Sequence, residues 1–285
     1  MTDLARAFSR DILPRDLGAG PGGETGVQFT IGVLVTKKDE YVELLESFHD
    51  AGFGTDDCEY IFIDNTKSNQ ADGYTGLNRI LNEAKGRFVI LCHQDVRLCF
   101  DHRPVLETKL LELDKFDKNW GLAGNAGADT TRTIAIRITH FNGREEKSGR
   151  FPAKVMSLDE NFIIVKKSAR LGFSNDLTGF HFYGTDICLQ ADIKGFNAYV
   201  IDFHLHHLGL GIMGEDFFMM RKEFKQKWDR ALRVRLVKTT CITLAIGQLV
   251  QLEWGIIRHR TKNLQKSFDR KLYFYFQRLV SWFRH

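Results

Sequence analysis

The sequence predicts an α/β fold built on a mainly parallel sheet with helices on both faces. Two observations carry this. Short apolar, β-branched runs alternate with stretches of helical periodicity from Phe29 onward, and the apolar run Phe88–Cys92 stops abruptly at His93, Gln94 and Asp95. Strand, helix, strand, helix, strand is the alternation that forms parallel sheets with right-handed crossovers. Polar residues that begin where a buried strand ends lie at the lip of such a sheet, where open α/β folds bind ligands.

The elements follow in order. Residues 1–26 end in the Gly/Pro cluster LGAGPGGETG and are expected to form a flexible leader. FTIGVLV from Phe29 is the first strand, and a helix starts at Lys38 or Asp39, with Tyr41, Leu44, Leu45 and Phe48 at helical spacing. Glu59–Ile63 is the second strand and ends in Asp64-Asn65. After the loop Thr66–Gly73, a helix over about 74–84 turns Leu77, Ile80 and Leu81 inward. The strand Phe88–Cys92 comes next, then a helix from Pro104 to about Phe116. The small residues of Trp120–Gly127 read either as a tight loop or as a place of close approach. Strand-like runs 131–139 and 145–151 flank Phe141-Asn-Gly143, a hairpin signal, and 154–158 and 161–165 are two more strands around Asp159.

In a parallel sheet the strand ends Thr36, Asp64-Asn65 and His93–Asp95 lie on one edge and can converge on one ligand. A carboxylate there can hold a divalent cation against a phosphate. There is no GxGxxG after the first strand and no GxxxxGK[ST], which excludes the common dinucleotide dehydrogenase and P-loop signatures. Of the 5 cysteines none forms a CxxC pair, and no signal peptide precedes them, so reduced thiols in a cytoplasmic protein are expected.

Charge is uneven. Residues 221–285 carry 16 Lys or Arg against 4 Asp or Glu, whereas residues 1–220 carry 24 against 32. Such a split points the tail at an anionic partner. A helix is expected over 215–228, an apolar stretch over 236–257, and a basic aromatic stretch over 264–283, with no spanning segment. Two readings of this helical extension stay open: a peripheral membrane surface, or a hairpin packed on the preceding domain or on a second subunit as a homodimer.

The segment 155–211, VMSLDENFIIVKKSARLGFSNDLTGFHFYGTDICLQADIKGFNAYVIDFHLHHLGLG, resembles the acceptor half of family 2 nucleotide-sugar glycosyltransferases, and ILCHQDV resembles the His-Gln-Asp variant of that family's Asp-x-Asp motif in a bacterial subgroup. The resemblance spans about 29–211. It implies a GT-A domain over 27–214, with a nucleotide-binding half 27–100 and an acceptor half 101–214, followed by the basic extension 215–285. It further implies a metal-dependent, inverting transfer from a nucleotide-sugar, first of all a UDP-sugar, to a glycan or lipid-linked glycan of a bacterial surface. Thr36, Asp64, Asn65, Asn78, His93 and Gln94 would then face the donor nucleotide. Asp95 would bind Mn²⁺ or Mg²⁺ with His207, or His206 in second place. Along a strand, His204 and His206 face one way and His207 the other. Asp186 would be the general base, with Asp176 as fallback, and Asp159, His181, Tyr183 and Trp120 would line the sugar sites. Two rivals are a nucleic-acid-binding protein using the basic tail, and a nucleotide-sugar-binding subunit without activity. The first is disfavoured because the basic residues interleave with apolar ones too densely for a solvated groove, so no nucleic-acid partner is expected.

Overall fold

Strand β4 (Phe88–Cys92) divides the molecule: Phe88, Ile90 and Cys92 enter one hydrophobic cluster, while Val89 and Leu91 enter another on the opposite face. A strand buried on both sides must be apolar throughout, which is why this run shows no polar alternation. The computed structural model describes residues 15–16, 26–54, 56–131, 133–209, 211, 214–241 and 243–246.

Ahead of β4 come β1 (Arg15–Asp16), β2 (Phe29–Val35), α1 (Lys38–Asp50), β3 (Cys58–Asp64) and α2 (Gly73–Glu83). The order β1-β3-β2-β4 is parallel throughout. Within the expected leader, Arg15-Asp16 adds a short edge to β3; most of 1–26 lies outside the described residues. Helix α1 buries Tyr41, Leu44, Leu45 and Phe48 in the first cluster, and α2 buries Leu77, Ile80 and Leu81 in the second, the faces the periodicity predicts.

After β5 (Val96–Arg97) and α3 (Arg103–Phe116), the chain forms β6 (Trp120–Gly124) and β7 (Ala126–Ala128). The stretch 120–127 is thus two strands rather than a loop. Its small residues conceal the strands from propensity, and packing explains them. A Cβ on Gly127 would stand 2.4 Å from the Ser157 carbonyl oxygen. Gly127→Ala is therefore expected to destabilise the protein by about 1–3 kcal/mol in chemical denaturation; an unchanged midpoint would show that the backbone yields freely there.

Next come β8 (Ile134–His140) and β9 (Glu145–Ser148), a hairpin around Asn142-Gly143 with Gly143 at φ +79°. The expected single strand 154–158 is divided between β10 (Ala153–Val155) and β11 (Ser157–Leu158), which join different sheets. Strand β12 (Phe162–Lys166) runs antiparallel between β4 and β6. Helix α4 (Tyr183–Ile193), β13 (Asn197–Val200) and β14 (Leu205–His207) follow. The large sheet has eight strands in the order β1-β3-β2-β4-β12-β6-β13-β10; β11-β7-β8-β14-β5 form a second sheet, with β9 on β8. With α1 and α3 feeding one cluster and α2 and α4 the other, helices cover both faces of the large sheet. This is the α/β arrangement expected, a large sheet with helices on both faces, with the parallel character confined mainly to its front half.

The chain divides into two compact units, Met1–Phe224 and Lys225–His285, the division falling within α5 (Glu215–Leu232). In the second unit, β15 (Arg235–Lys238) and β16 (Thr243–Ile246) pair as an antiparallel hairpin, so the extension expected to be helical contains strands. The basic aromatic stretch 264–283 lies outside the described residues. Among the described residues no helix is long and apolar enough to cross a membrane.

Candidate metal centre and pocket

The polar turn after β4 is built by three constraints. The Val96 N–H donates to the His93 carbonyl at 3.2 Å, closing the turn, and the His93 N–H donates to the Asn161 carbonyl at 3.0 Å. Gln94 is fixed by α1: its Oε1 accepts from the Thr36 and Lys37 N–H groups at 2.8 and 3.0 Å, and its Nε2 donates to Thr36 Oγ1 and Glu40 Oε2. No side chain of α1 caps its own start, so Gln94 satisfies donors the helix end leaves open. Asp95 is left facing inward.

Strand β14 brings the second half of the centre. His206 pairs with Arg97 and His207 with Val96, antiparallel, and the Leu208 N–H donates to the Asp95 carbonyl at 3.1 Å. Strand alternation then sorts the histidines. His204 stacks on Phe100 at 4.0 Å and shares a hydrogen bond with Thr139 Oγ1; His206 bonds the His140 carbonyl. His207 alone of the three turns toward Asp95, its Nε2 3.3 Å from Asp95 Oδ1. The contact is close but not aligned as a hydrogen bond. Both atoms are buried and without a hydrogen-bond partner. A Cβ on Gly209 would lie 2.6 Å from Asp95 Oδ2 and 2.9 Å from His207 Nε2, so only glycine leaves the carboxylate clear.

His93 completes the cluster. One ligand atom from each of His93, Asp95 and His207 lies within 4.8 Å of the others. Burial first, and His207 second, hold His93 below its usual pKa, which keeps it in the neutral form that ligates metals. Its Nε2 shares a 2.8 Å hydrogen bond with the Tyr183 hydroxyl, an outer contact of the kind that orients metal-binding imidazoles. Burial pushes Asp95 up, but His207 and His93 outweigh it and hold the carboxyl below the usual range. A carboxylate oxygen and an imidazole nitrogen that are buried without a hydrogen-bond partner, with the His93 ring beside them, fit a divalent cation, and this donor set suits Mn²⁺ better than Mg²⁺.

Beside the cluster opens a pocket of about 240 Å³, lined by Thr36, His93, Gln94, Asp95, Glu160 and Tyr183 among apolar residues that include Leu34, Leu77 and Phe180. Glu160 is not among the residues that sequence reasoning singles out. It follows Asp159 in the turn before β12, and nothing in periodicity marks it. The register Phe162↔Cys92 carries that turn to the lip beside His93. The Gly184 N–H donates to Glu160 Oε1 at 3.3 Å, at the start of α4. Burial pushes the Glu160 carboxyl up to about 8, the N–H of Gly184 opposing and Asp159 reinforcing it.

The remaining candidates take other places. Asp64 accepts from the N–H and hydroxyl of Thr66; burial pushes its carboxyl up, but Thr66 together with Lys38 and Lys67 outweighs burial and holds it below the usual range. Asn65 orders its loop through Gln70 and Ala71, and Asn78 ties α2 to Phe173 and Asn175. None of these three lines the pocket. Asp159 is exposed and accepts from the Asn161 N–H; Asp176 is exposed. His181 packs on Phe217, and its carbonyl accepts from the Tyr74 hydroxyl. Trp120, expected at a sugar site, is 0% exposed in the core, stacked on Phe88 with its indole N–H on Asp114. Asp186, expected as the base, is likewise 0% exposed, and its two oxygens accept from the N–H and hydroxyl of Ser174, each at 2.7 Å. It holds the 171–174 segment against α4 and does not reach the pocket.

No protein-family model matches the chain. Among solved structures, the chain is similar to Staphylococcus aureus TarS 1-349 in complex with UDP-GlcNAc, at 14% identity and a TM-score of 0.47 over 71% of this chain and 67% of that one. It is also similar to the mannosyltransferase PcManGT of Pyrobaculum calidifontis in complex with GDP-Man and Mn²⁺, at 15% identity and a TM-score of 0.46 over 78% and 67%. A curated relative from Fuscovulum blasticum, named "ATP synthase subunits region ORF 6", is 36% identical over 230 residues, which cover 79% of this chain and 92% of that protein. At that identity over most of both sequences, the chain belongs to the family of the Fuscovulum blasticum ATP synthase subunits region ORF 6 protein.

Proposed function

We propose that this chain is a metal-dependent glycosyltransferase that takes the sugar of a nucleotide-sugar, a UDP-sugar first of all, and passes it with inversion to a hydroxyl of a glycan or glycolipid. The observation that carries the reading is the pair of orphaned buried atoms, Asp95 Oδ1 and His207 Nε2, beside a pocket at the carboxyl end of a buried strand. The motif resemblance over 29–211 supports it from the sequence side. In this reading His93, Asp95 and His207 hold Mn²⁺ or Mg²⁺, which when bound offsets the charge of a diphosphate. Thr36 and Gln94, locked together at the start of α1, shape the donor side of the pocket. Tyr183 holds the His93 ring. The proposal extends to bacterial surface-glycan synthesis, with the basic extension on the inner membrane surface.

Thermal unfolding tests the donor and the cation together, because only ligands that favour the native state raise its midpoint. UDP or a UDP-sugar with Mn²⁺ is expected to raise the midpoint, with a stabilisation of about 2.7 kcal/mol at a hundredfold excess over Kd. EDTA should cancel the shift, as should His207→Ala; His206→Ala should leave it in place. A nucleotide-sugar panel that moves nothing with Mn²⁺ present would remove this reading.

A further inference from the structure

An inverting transfer needs a group to take the proton of the attacking hydroxyl, placed within hydrogen-bond reach of it. Two carboxylates line the pocket: Asp95 and Glu160. Asp95 lies against His207 and belongs with the cation ligands. Asp186 is sealed in the interior with both oxygens on Ser174. That leaves Glu160, and the surrounding chain is shaped to seat it. It lies over Gly184, where a Cβ would stand 3.1 Å from Glu160 Cγ and 2.3 Å from the Leu158 carbonyl oxygen. Phe182, which opens α4 with φ +67°, offers no side-chain cap, and the carboxylate meets the N–H of Gly184 instead.

We propose that Glu160 is the catalytic base of this pocket, on the transferase reading above. The acceptor oxygen forms its bond to the anomeric carbon as the bond from that carbon to the diphosphate breaks. The diphosphate leaves with the bonding electron pair, and the acceptor's proton passes to a Glu160 carboxylate oxygen. The groups facing Glu160 are its neighbour Asp159, the Tyr183 hydroxyl and start of α4, and Tyr74 on α2. None of these is a cation, and burial raises the carboxyl's affinity for a proton, the direction a base for the acceptor hydroxyl requires.

The alternative is that Glu160 merely caps α4. Glu160→Gln separates the two, because the amide oxygen keeps the contact with Gly184 and cannot take a proton. The experiment uses the full chain with Mn²⁺, a panel of UDP-sugars and octyl glycosides as acceptors, and reads UDP release. With Glu160→Gln, kcat is expected to fall roughly 10²–10⁴-fold with the donor KM and the UDP/Mn²⁺ thermal shift retained. Glu160→Asp should recover part of the rate. The acid limb of the kcat/KM profile should be present in the wild type and absent in Glu160→Gln. A Glu160→Gln protein that binds UDP/Mn²⁺ and keeps kcat within about fivefold of wild type overturns the assignment and leaves the transferase reading standing. A wild type that neither shifts with any UDP-sugar nor releases UDP overturns both.

Discussion

Asp95→Ala is expected to lower UDP-sugar turnover by roughly 10³-fold or more and to erase the Mn²⁺-dependent rise in melting temperature. Asp95 is the one carboxylate of the three-residue cluster, and its Oδ1 has no hydrogen-bond partner among the described residues. Removing it leaves two imidazoles, a much weaker match for an oxygen-seeking cation beside a phosphate. The fold should survive, because the turn is held by main-chain bonds from Val96 and Leu208 and by the Gln94 side chain, none of which uses the Asp95 carboxylate. Circular dichroism and gel filtration check the fold, and calorimetry with MnCl₂ checks the site. Retained Mn²⁺ affinity together with lost activity would move Asp95 from cation binding to another role.

Glu160→Gln is expected to make the ligand-free protein more stable at pH 8 while making it less active. Burial raises the folded-state pKa of Glu160 from 4.5 to about 8. The sign follows directly. Below the unfolded value the carboxyl is protonated in both states and burial carries no ionisation cost. As pH rises toward 8 the unfolded chain releases the proton first, and the native state loses stability progressively. The upper bound on that loss is about 5 kcal/mol, reached above the folded value. Urea midpoints at pH 5 and pH 8 read it: the variant should gain on the wild type as pH increases. Equal pH slopes for the two proteins would show that Glu160 ionises freely in the pocket.

The elements legible in the sequence are those whose signal is local. Phe29–Val35, Lys38–Asp50 and Phe88–Cys92 each carry their own apolar pattern, and the structure agrees with each within a residue or two. Where packing supplies the reason, the pattern fails. Trp120–Gly124 is a central strand made mostly of small residues because neighbouring chain passes close to it. The same distinction holds in the site. Asp95 and His207 announce themselves by strand ends and alternation. Asp186 looks exposed at the start of a helix, yet the long loop through Ser174 folds over it. Glu160 gains its position from an antiparallel register with β4 that no single stretch encodes.

Strand β14 is three residues long and is held by β5 on one side and β8 on the other, so His207 has no place of its own until distant chain segments have closed around it. If Asp95 and His207 hold a cation, the site they form depends on that closure and is not encoded in any one segment. Manganese would then act on the finished molecule, slowing its opening rather than guiding its assembly, and refolding rates should be indifferent to the ion while unfolding rates fall as it is added.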